Sequence, residues 1–354
     1  MATPVEYMTM ALQLAGRGCL TTSPNPMVGC VIVKNGQIIG QGFHQQAGQA
    51  HAEVNALRIA GANSEGACAY VTLEPCCHYG RTPPCTQALI SAGIKKVFLA
   101  CLDPNPLMAG KGVEALCAAG IEVEMGLCHD AAQQLNEVFF YYIMHKRPFV
   151  IAKWAMSLDG KTMANPSDSR SISGEVANRH THEFRQQVDA VLVGARTAYH
   201  DNPQLTSRIP NAVKQPLRII LSSTGNLPLD LNIFNENLPG KTLVATTEQV
   251  DKSWRDALIA KNVDVVILPA SNANQVDLTS LLDELGRREI ASILVEGGMT
   301  VHTAFFSENL VNKTQIYLSP VIIGSLEKKQ AVTNLSCCQL GQDFYFVADY
   351  IKSE

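Results

Sequence analysis

The sequence lacks the features of a membrane-spanning or exported protein. Its 354 residues contain no apolar run that approaches the ~18 residues needed to cross a bilayer. At the N-terminus Glu6 precedes any basic residue, and no charged segment leads into an apolar core, so a signal peptide is not expected. These absences predict a cytoplasmic protein that does not associate with a membrane.

The sequence also lacks a surplus of basic residues. Its 28 Lys and Arg are outnumbered by 32 Asp and Glu, which gives a net charge of −4 at pH 7. Proteins that bind nucleic acid usually carry a basic surplus or a basic stripe, and the sequence shows neither. The charge therefore favours a small-molecule substrate over a nucleic-acid partner.

Composition and length predict two globular domains without a disulfide framework. The chain is 46% hydrophobic and 17% charged, and it is long enough for two cores. Nine of its 11 cysteines precede residue 130, and without an export signal they are expected to be reduced thiols, some buried and some bound to a metal. The polar stretch 145–148 predicts the boundary, with domains at residues 1–147 and 148–354.

The first half contains a candidate catalytic zinc site. His51, Cys76 and Cys85 supply one imidazole and two thiolates, which leave a fourth position open for water, as catalytic zinc sites do. Glu53, two residues after the histidine, is suited to move protons at that position. This order of residues is the signature of zinc deaminases, although the usual template has two residues between the cysteines and this chain has eight.

Predicted local structure brings the three candidate ligands together. The pattern predicts a helix over 50–60 whose first turn carries His51 and Glu53, a strand over 69–73 that ends before Cys76, and a helix from Pro83 to 92 that carries Cys85. Helix N-termini favour negative charge, which suits a carboxylate and a metal-bound hydroxide. The strands and helices alternate up to about residue 145, which predicts an α/β sandwich.

Four alternatives stay open at this point. A purely structural zinc site would need a fourth protein ligand, for which Cys77 and His78 are available. The chain could instead be a nucleic-acid deaminase, such as a tRNA adenosine deaminase, or a zinc-stabilised scaffold without activity. A chain in which only one half is catalytic is the fourth.

The second half alternates strands with helices, and each strand ends in small polar residues, which predicts an α/β nucleotide-binding domain. A helix is predicted from Glu175 to Val188, and the stretch from Thr197 to Arg208 is predicted to be loop. Gly297 and Gly298 precede a predicted helix and could present backbone N–H groups to a phosphate. No Gly-x-Gly-x-x-Gly fingerprint is present, so a conventional Rossmann domain is not expected.

The chain resembles the bifunctional riboflavin-biosynthesis deaminase–reductase family over nearly its full length. The resemblance is carried by residues 24–33, 48–53, 70–76 and 78–85 in the first half and by 154–161, 191–208 and 293–305 in the second. The 78–85 stretch contains the longer spacing between the cysteines. The resemblance implies a cytidine-deaminase-like α/β/α sandwich with zinc, followed by a dihydrofolate-reductase-like α/β domain.

The family deaminates a 2,5-diamino-6-ribosylamino-pyrimidinone 5′-phosphate and then reduces the ribosyl group to ribityl with NADPH. The resemblance therefore implies Zn²⁺ and NADPH as cofactors, a pyrimidine ribosyl phosphate as substrate, and a homo-oligomeric enzyme. It implies His51, Cys76 and Cys85 as zinc ligands and Glu53 as the proton shuttle.

The remaining implied site residues fall into three groups. The implied pyrimidine contacts are Asn25, His44, Asn55, His78 and Asp103. The implied NADPH contacts are Ala155, Ser171, Thr197, Asp201, Ser222 or Ser223, Gly298, Met299, Thr300, Val301, His302, Thr303 and Ala304. The implied ribose-phosphate contacts are Ser169, Arg185, Leu205, Arg208 and Glu296.

Two arginines and one aspartate have more specific expected roles in reduction. Arg185 and Arg208 are expected to grip the substrate phosphate bidentately. Asp201 is expected to be the polar participant in hydride transfer, or else a helix cap. Two residues depart from the family pattern: Cys77 stands where serine is common, and Ser171 stands where relatives often have tryptophan.

Overall fold

The computed structural model describes residues 2–79, 83–106, 108–162, 172–324, 330–340 and 343–350. The chain divides into two compact units. The first comprises Met1–Phe149 and Leu282–Ser292, and the second comprises Val150–Leu281 and Ile293–Glu354. In the described part of the chain, no helix combines the length and the apolar character needed to span a bilayer.

The first unit is built on one five-stranded mixed sheet with the strand order β2-β1-β3-β4-β5. Its strands are β1 (Gly29–Lys34), β2 (Gln37–Phe43), β3 (Cys68–Val71), β4 (Lys96–Leu99) and β5 (Glu122–Met125). Its helices are α1 (Pro4–Gly16), α2 (Ala52–Ala60), α3 (Cys85–Ser91), α4 (Lys111–Ala118), α5 (His129–Leu135) and α6 (Glu137–His145), with a 3₁₀ turn at Gly61–Ser64. β1 pairs antiparallel with β2 and β3, whereas β3, β4 and β5 are parallel.

Glycines let two helices approach opposite faces of this sheet. The register pairs Gly42 with Cys30, so Gly42 and Gly29 face opposite sides. A Cβ atom at Gly29 would lie 1.9 Å from the carbonyl oxygen of Ala11 in α1, and one at Gly42 would lie 2.6 Å from the backbone nitrogen of Ala56 in α2. The sheet is therefore covered on both faces, and α2 is held close to β2.

The second unit is built on a seven-stranded sheet with the order β10-β9-β8-β7-β11-β6-β12 and a three-stranded sheet β13-β14-β15. The strands are β6 (Phe149–Ser157), β7 (Ala190–Gly194), β8 (Leu217–Leu221), β9 (Thr242–Thr246), β10 (Asp264–Ile267), β11 (Ser292–Val295), β12 (Lys313–Ser319), β13 (Val321–Ile322), β14 (Gln330–Leu340) and β15 (Asp343–Tyr350). The helices that lie wholly in this unit are α7 (Glu175–Arg185), α8 (Ala195–Asp201), α9 (Lys252–Ala260) and α11 (Met299–Ser307), with a 3₁₀ turn at Asn232–Phe234. A further helix, α10 (Leu278–Arg287), begins in this unit, and its residues from Leu282 belong to the first.

The central strands of the larger sheet run parallel and are buried. β7 is buried at every position, and so is β9. Continuous apolar runs of this kind are typical of parallel strands with both faces covered. The carboxyl ends of such strands meet at one edge, where α/β folds place their ligands.

Three local predictions were wrong. Thr197 and Asp201, which were predicted to lie in a loop, lie on α8. The apolar spacing of Leu135, Val138, Phe139 and Tyr142 predicts one last helix in the first half, but the structure has two, α5 and α6, because Asn136 leaves helical geometry and its side chain bonds both backbone groups of Met27. Pro84 is the residue before α3 rather than a residue of its first turn.

Candidate active sites

The three predicted zinc ligands converge from separate elements of the first unit. His51 is the N-cap residue of α2, Cys76 follows the end of β3, and Cys85 is the first residue of α3. The His51 Nδ1 atom lies 3.2 Å from the Cys85 sulfur and 3.6 Å from the Cys76 sulfur. Among the described residues, these are the ones that form a cluster able to hold a metal, with ligand atoms within 4.8 Å of one another.

The donor chemistry of this cluster fits Zn²⁺. One imidazole and two thiols are the ligand types that zinc prefers, and three protein ligands leave a position for water. The pKa of the Cys76 thiol is lowered to about 4, because it is hydrogen-bonded by Cys85 and by His51. The same sulfur–sulfur hydrogen bond raises the pKa of Cys85. The two thiols thus share a proton that a bound cation would displace.

Glu53 points a free carboxylate oxygen into the interior beside the cluster. Its side chain lies in the first turn of α2 and is 3% exposed. Its Oε2 atom has no hydrogen-bond partner among the described residues, which is uncommon for a buried carboxylate. Burial raises the pKa of Glu53 to about 7. A buried carboxyl group that gains and loses a proton near neutral pH is suited to general acid–base chemistry.

Two of the predicted pyrimidine contacts lie beside the cluster. The rings of His44 and His51 are 5.2 Å apart in an edge-to-face arrangement. The Asn25 Nδ2 atom lies 3.4 Å from the His44 Nε2 atom, and the other ring nitrogen of His44 lies 3.3 Å from the Ala50 carbonyl oxygen. Burial lowers the pKa of His44, which favours its neutral form. This pair offers polar atoms suited to a heterocycle.

The other three predicted pyrimidine contacts have different surroundings. Asn55 donates its amide hydrogens to the carbonyl oxygens of Phe43 and Ala50, at 3.0 and 3.2 Å, and so holds the loop before α2. His78 is exposed. Asp103 is partly buried, and burial raises its pKa.

Asn136 is a residue of this site that sequence reasoning did not identify. It is 2% exposed, accepts from the Met27 N–H and donates to the Met27 carbonyl oxygen, both at 2.8 Å. Because Met27 follows Pro24–Pro26, Asn136 fixes the loop that carries Asn25. The two residues are 109 positions apart, and the sequence contains no signal that pairs them.

The second unit contains a buried charged cluster whose members lie on β6, on α7 and directly after β11. Arg185 donates to both carboxylate oxygens of Glu296, at 2.7 and 2.9 Å, and to the Thr206 carbonyl oxygen at 3.1 Å. The Lys153 ammonium lies 4.0 Å from Glu296. Burial alone would raise the pKa of Glu296, but the Arg185 guanidinium holds that pKa below its usual range. Sequence reasoning identified Arg185 and Glu296 and missed Lys153.

This cluster shows what already contacts Arg185, whose expected role is to bind phosphate. The guanidinium expected to grip a phosphate together with Arg208 is instead engaged by Glu296 through two hydrogen bonds. Its side chain is 11% exposed, so its position is set by the protein. Arg208 is exposed. Partial burial of its side chain is the larger cause of its lowered pKa, and the charge of Arg185 lowers that pKa further, so the two guanidinium groups lie close enough to interact. Of the two arginines, Arg208 is the one available to an anion.

The predicted glycine turn lies at the carboxyl end of β11. Gly298 is the N-cap residue of α11 and has a φ of 73°, which favours glycine. A Cβ atom there would lie 3.0 Å from the Thr197 hydroxyl oxygen. A larger residue would fill the space above the helix N-terminus, where backbone N–H groups bind phosphate. The turn therefore fits the pyrophosphate of a dinucleotide such as NADPH.

The remaining predicted reductase contacts are distributed as follows. Ala155 lies on β6, paired in register with Tyr317 of β12. Ser222 is buried after β8, and the Ser223 hydroxyl accepts from the Val276 N–H at 3.2 Å. Leu205 is buried, and Asp201 is exposed at the end of α8. Met299, Thr300, Val301, His302, Thr303 and Ala304 form the first turns of α11. Ser169 and Ser171 lie outside the described residues.

The fold and the sites together define a two-domain α/β enzyme, with a zinc-dependent deaminase unit followed by a reductase unit. Residues 1–101 match the cytidine and deoxycytidylate deaminase zinc-binding region, and residues 148–343 match the RibD C-terminal domain. The fold class expected from the sequence is confirmed at this level.

Full-length relatives agree with both matches. The chain is 43% identical to the riboflavin biosynthesis protein RibD of Actinobacillus pleuropneumoniae, over 96% of this chain and 90% of the relative. It is 40% identical to RibD of Escherichia coli, over 90% of this chain and 88% of the relative. The Acinetobacter baumannii RibD structure matches with a TM-score of 0.82 at 40% identity, covering 99% of both chains.

A second solved structure extends the agreement. The Thermotoga maritima diaminohydroxyphosphoribosylaminopyrimidine deaminase/5-amino-6-(5-phosphoribosylamino)uracil reductase matches with a TM-score of 0.79 at 35% identity, covering 98% of this chain and 97% of that one. The chain belongs to the RibD family of riboflavin biosynthesis proteins. It is a bifunctional deaminase and reductase that uses zinc in the first unit and NADPH in the second.

Proposed function

We propose that the first unit deaminates 2,5-diamino-6-(5-phosphoribosylamino)pyrimidin-4(3H)-one and that the second unit reduces the ribosyl group of the resulting uracil. The observation that carries the proposal is the His51–Cys76–Cys85 cluster with the unpartnered Glu53 oxygen beside it. The substrate is the one named for the Thermotoga maritima relative, which shares the architecture over nearly its whole length.

In the deaminase unit, His51, Cys76 and Cys85 hold the metal and Glu53 moves the proton. Zinc held there would lower the pKa of a coordinated water and so supply the nucleophile for the pyrimidine carbon that bears the amine. Glu53 accepts the water proton at Oε2 and delivers it to the ring nitrogen. It then moves the proton of the new hydroxyl group to the amine, so that the carbon–nitrogen bond breaks and ammonia leaves as the carbonyl forms. The pKa of Glu53 near 7 suits both directions of transfer. His44 and Asn25 orient the ring, and Asp103 lines the same pyrimidine pocket.

In the reductase unit, Lys153 is proposed as the proton donor in place of Asp201. Its side chain is 15% exposed, and burial lowers its pKa, so its ammonium gives up a proton more readily than an exposed lysine. Protonation of the ribose ring oxygen breaks its bond to C1′ and leaves a carbon–nitrogen double bond. NADPH supplies the hydride that C1′ accepts. Glu296 keeps the Lys153 ammonium in place.

The phosphate groups are proposed to bind at two places. Arg208 contacts the substrate phosphate, since Arg185 is engaged by Glu296. The N–H groups at the start of α11 contact the dinucleotide, supported by the space above Gly298. Ala155, Thr197 and Ser222 are proposed to complete the cofactor site, as the family resemblance implies.

A homo-oligomeric, cytoplasmic enzyme is also proposed. β12 is one of the two edge strands of the larger sheet, and its Ile316 is 47% exposed. An unpaired strand edge with an exposed apolar side chain offers a surface on which another chain can pair. The described cysteines are free thiols, as is usual in a reducing compartment. Light scattering of the purified chain tests the first proposal, since a monomeric mass would contradict it.

The decisive experiment supplies the diaminopyrimidine phosphate with and without NADPH and follows ammonia release and NADPH oxidation separately. Ammonia should be released in both cases, and NADPH should be oxidised only after deamination. NADPH oxidation without ammonia release, or deamination of a stem-loop RNA in place of the pyrimidine phosphate, would contradict the proposal.

A further inference from the structure

The carboxylate of Glu74 is buried beside the proposed zinc site, two residues before Cys76. It is 6% exposed. It accepts four backbone hydrogen bonds: Oε2 from the N–H groups of Asp103 (3.1 Å) and Gly110 (3.0 Å), and Oε1 from those of Gly112 (2.7 Å) and Val113 (3.2 Å). The Glu74 side chain therefore accepts hydrogen bonds from two N–H groups that precede α4 and from two in its first turn.

The backbone on either side of Glu74 is fixed as tightly as its side chain. The Glu74 N–H donates to the Cys101 carbonyl oxygen at 3.0 Å. A Cβ atom at Gly112 would lie 2.3 Å from the Pro75 carbonyl oxygen, so α4 begins in direct contact with the turn that leads to Cys76. The turn and the segment that begins at Asp103 consequently share one rigid junction.

We propose that Glu74 is a positioning residue for deamination, which fixes the backbone at Asp103 relative to Cys76. The inference rests on the proposed function, in which Cys76 holds the metal and Asp103 lines the pyrimidine pocket. A carboxylate suits this position because it only accepts hydrogen bonds, and the groups that face it are all donors. An amide of the same shape would turn its own N–H groups toward two of those donors and displace the segment.

The test compares Glu74→Gln with the parent enzyme as full-length, zinc-loaded chains. Zinc content, kcat and KM for ammonia release are measured, together with reduction of the already deaminated substrate. Because a small misplacement in a site costs up to about 10²-fold, KM for deamination should rise by at least about tenfold. Zinc content and reductase turnover should match the parent. Glu114→Gln is the matched control, since Glu114 lies exposed in the first turn of the same helix.

A parent-like KM in Glu74→Gln would overturn the inference, and so would a loss of zinc without a change in KM. Gly112→Ala is the second variant, because it displaces the same junction and leaves the carboxylate in place; it should raise KM in the same way. If neither variant folds, the contact serves stability alone and the inference is also overturned. Failure of the proposed function is distinct, since the parent itself would then release no ammonia.

Discussion

Replacement of Arg185 by methionine tests whether this arginine stabilises the fold or binds phosphate. The change leaves the Glu296 carboxylate buried without its partner; their side chains are 11% and 8% exposed. Removal of one member of a buried ion pair costs about 3–5 kcal/mol, because the remaining charge loses its partner; the Lys153 ammonium, 4.0 Å from Glu296, compensates that charge only in part. The two hydrogen bonds and the contact with the Thr206 carbonyl oxygen are lost with it.

The assay is urea unfolding followed by tryptophan fluorescence. Both tryptophans of the chain, Trp154 and Trp254, lie in the second unit, so the signal reports on that unit alone. With a slope of about 1–3 kcal/mol per molar urea, the midpoint should fall by at least about 1 M. Arg208→Met is the matched control: Arg208 is exposed, so its loss should change stability by less than about 0.5 kcal/mol.

The same pair of variants separates the two roles kinetically. Arg208→Met should raise KM for the phosphorylated substrate, whereas Arg185→Met should mainly lower stability. The double variant Arg185→Met with Glu296→Gln should recover part of the lost stability, because the buried Glu296 charge is removed together with its Arg185 partner and only the Lys153 ammonium keeps its charge in the cluster. If the urea midpoint of Arg185→Met equals that of the parent and its KM for the phosphorylated substrate is raised, the stabilising role of Arg185 is refuted and its phosphate-binding role is supported.

Three further predictions concern single side chains. Glu53→Gln should retain zinc but lower kcat for ammonia release by about 10²–10⁴-fold, because general acid–base catalysis usually contributes that much. The rate of reduction should be unchanged, and ammonia release equal to that of the parent would contradict the assignment. Asn136→Leu should destabilise the first unit by about 1–3 kcal/mol, because buried Met27 backbone groups lose their partners, and circular dichroism during thermal unfolding measures it. Asp159 accepts hydrogen bonds from Ser157 and from two backbone N–H groups, which lower its pKa to about 2. Its stabilisation is therefore complete above the unfolded pKa of about 4 and is lost as the pH falls toward 2. Fluorescence-monitored stability of the parent should approach that of Asp159→Asn over this range, and a constant difference would contradict the reasoning.

The sequence was sufficient for features that depend on local order. The zinc signature could be read because its residues lie at predicted element ends, and α2, β3 and α3 are found close to those predictions. The fold class and the two activities followed from motifs that cover both halves, and the family matches confirm them.

Features that depend on distant partners could not be predicted. Arg185 and Glu296 are 111 residues apart, and nothing in either segment indicates that one neutralises the other. A lysine in an apolar strand, such as Lys153, gives no sign of what it faces. The break at Asn136 also escaped prediction, because the helical pattern continues through it and only the contact with Met27 makes the interruption favourable.

Zinc removal from the full-length chain tests the central claim most directly, because the claim assigns the two reactions to separate sites. The chain is dialysed against a chelator, and ammonia release and reduction of the already deaminated substrate are measured before and after zinc is restored. Ammonia release should disappear and return with zinc, while NADPH oxidation continues unchanged. Loss of both reactions on zinc removal, or full ammonia release from the zinc-free chain, would contradict the account.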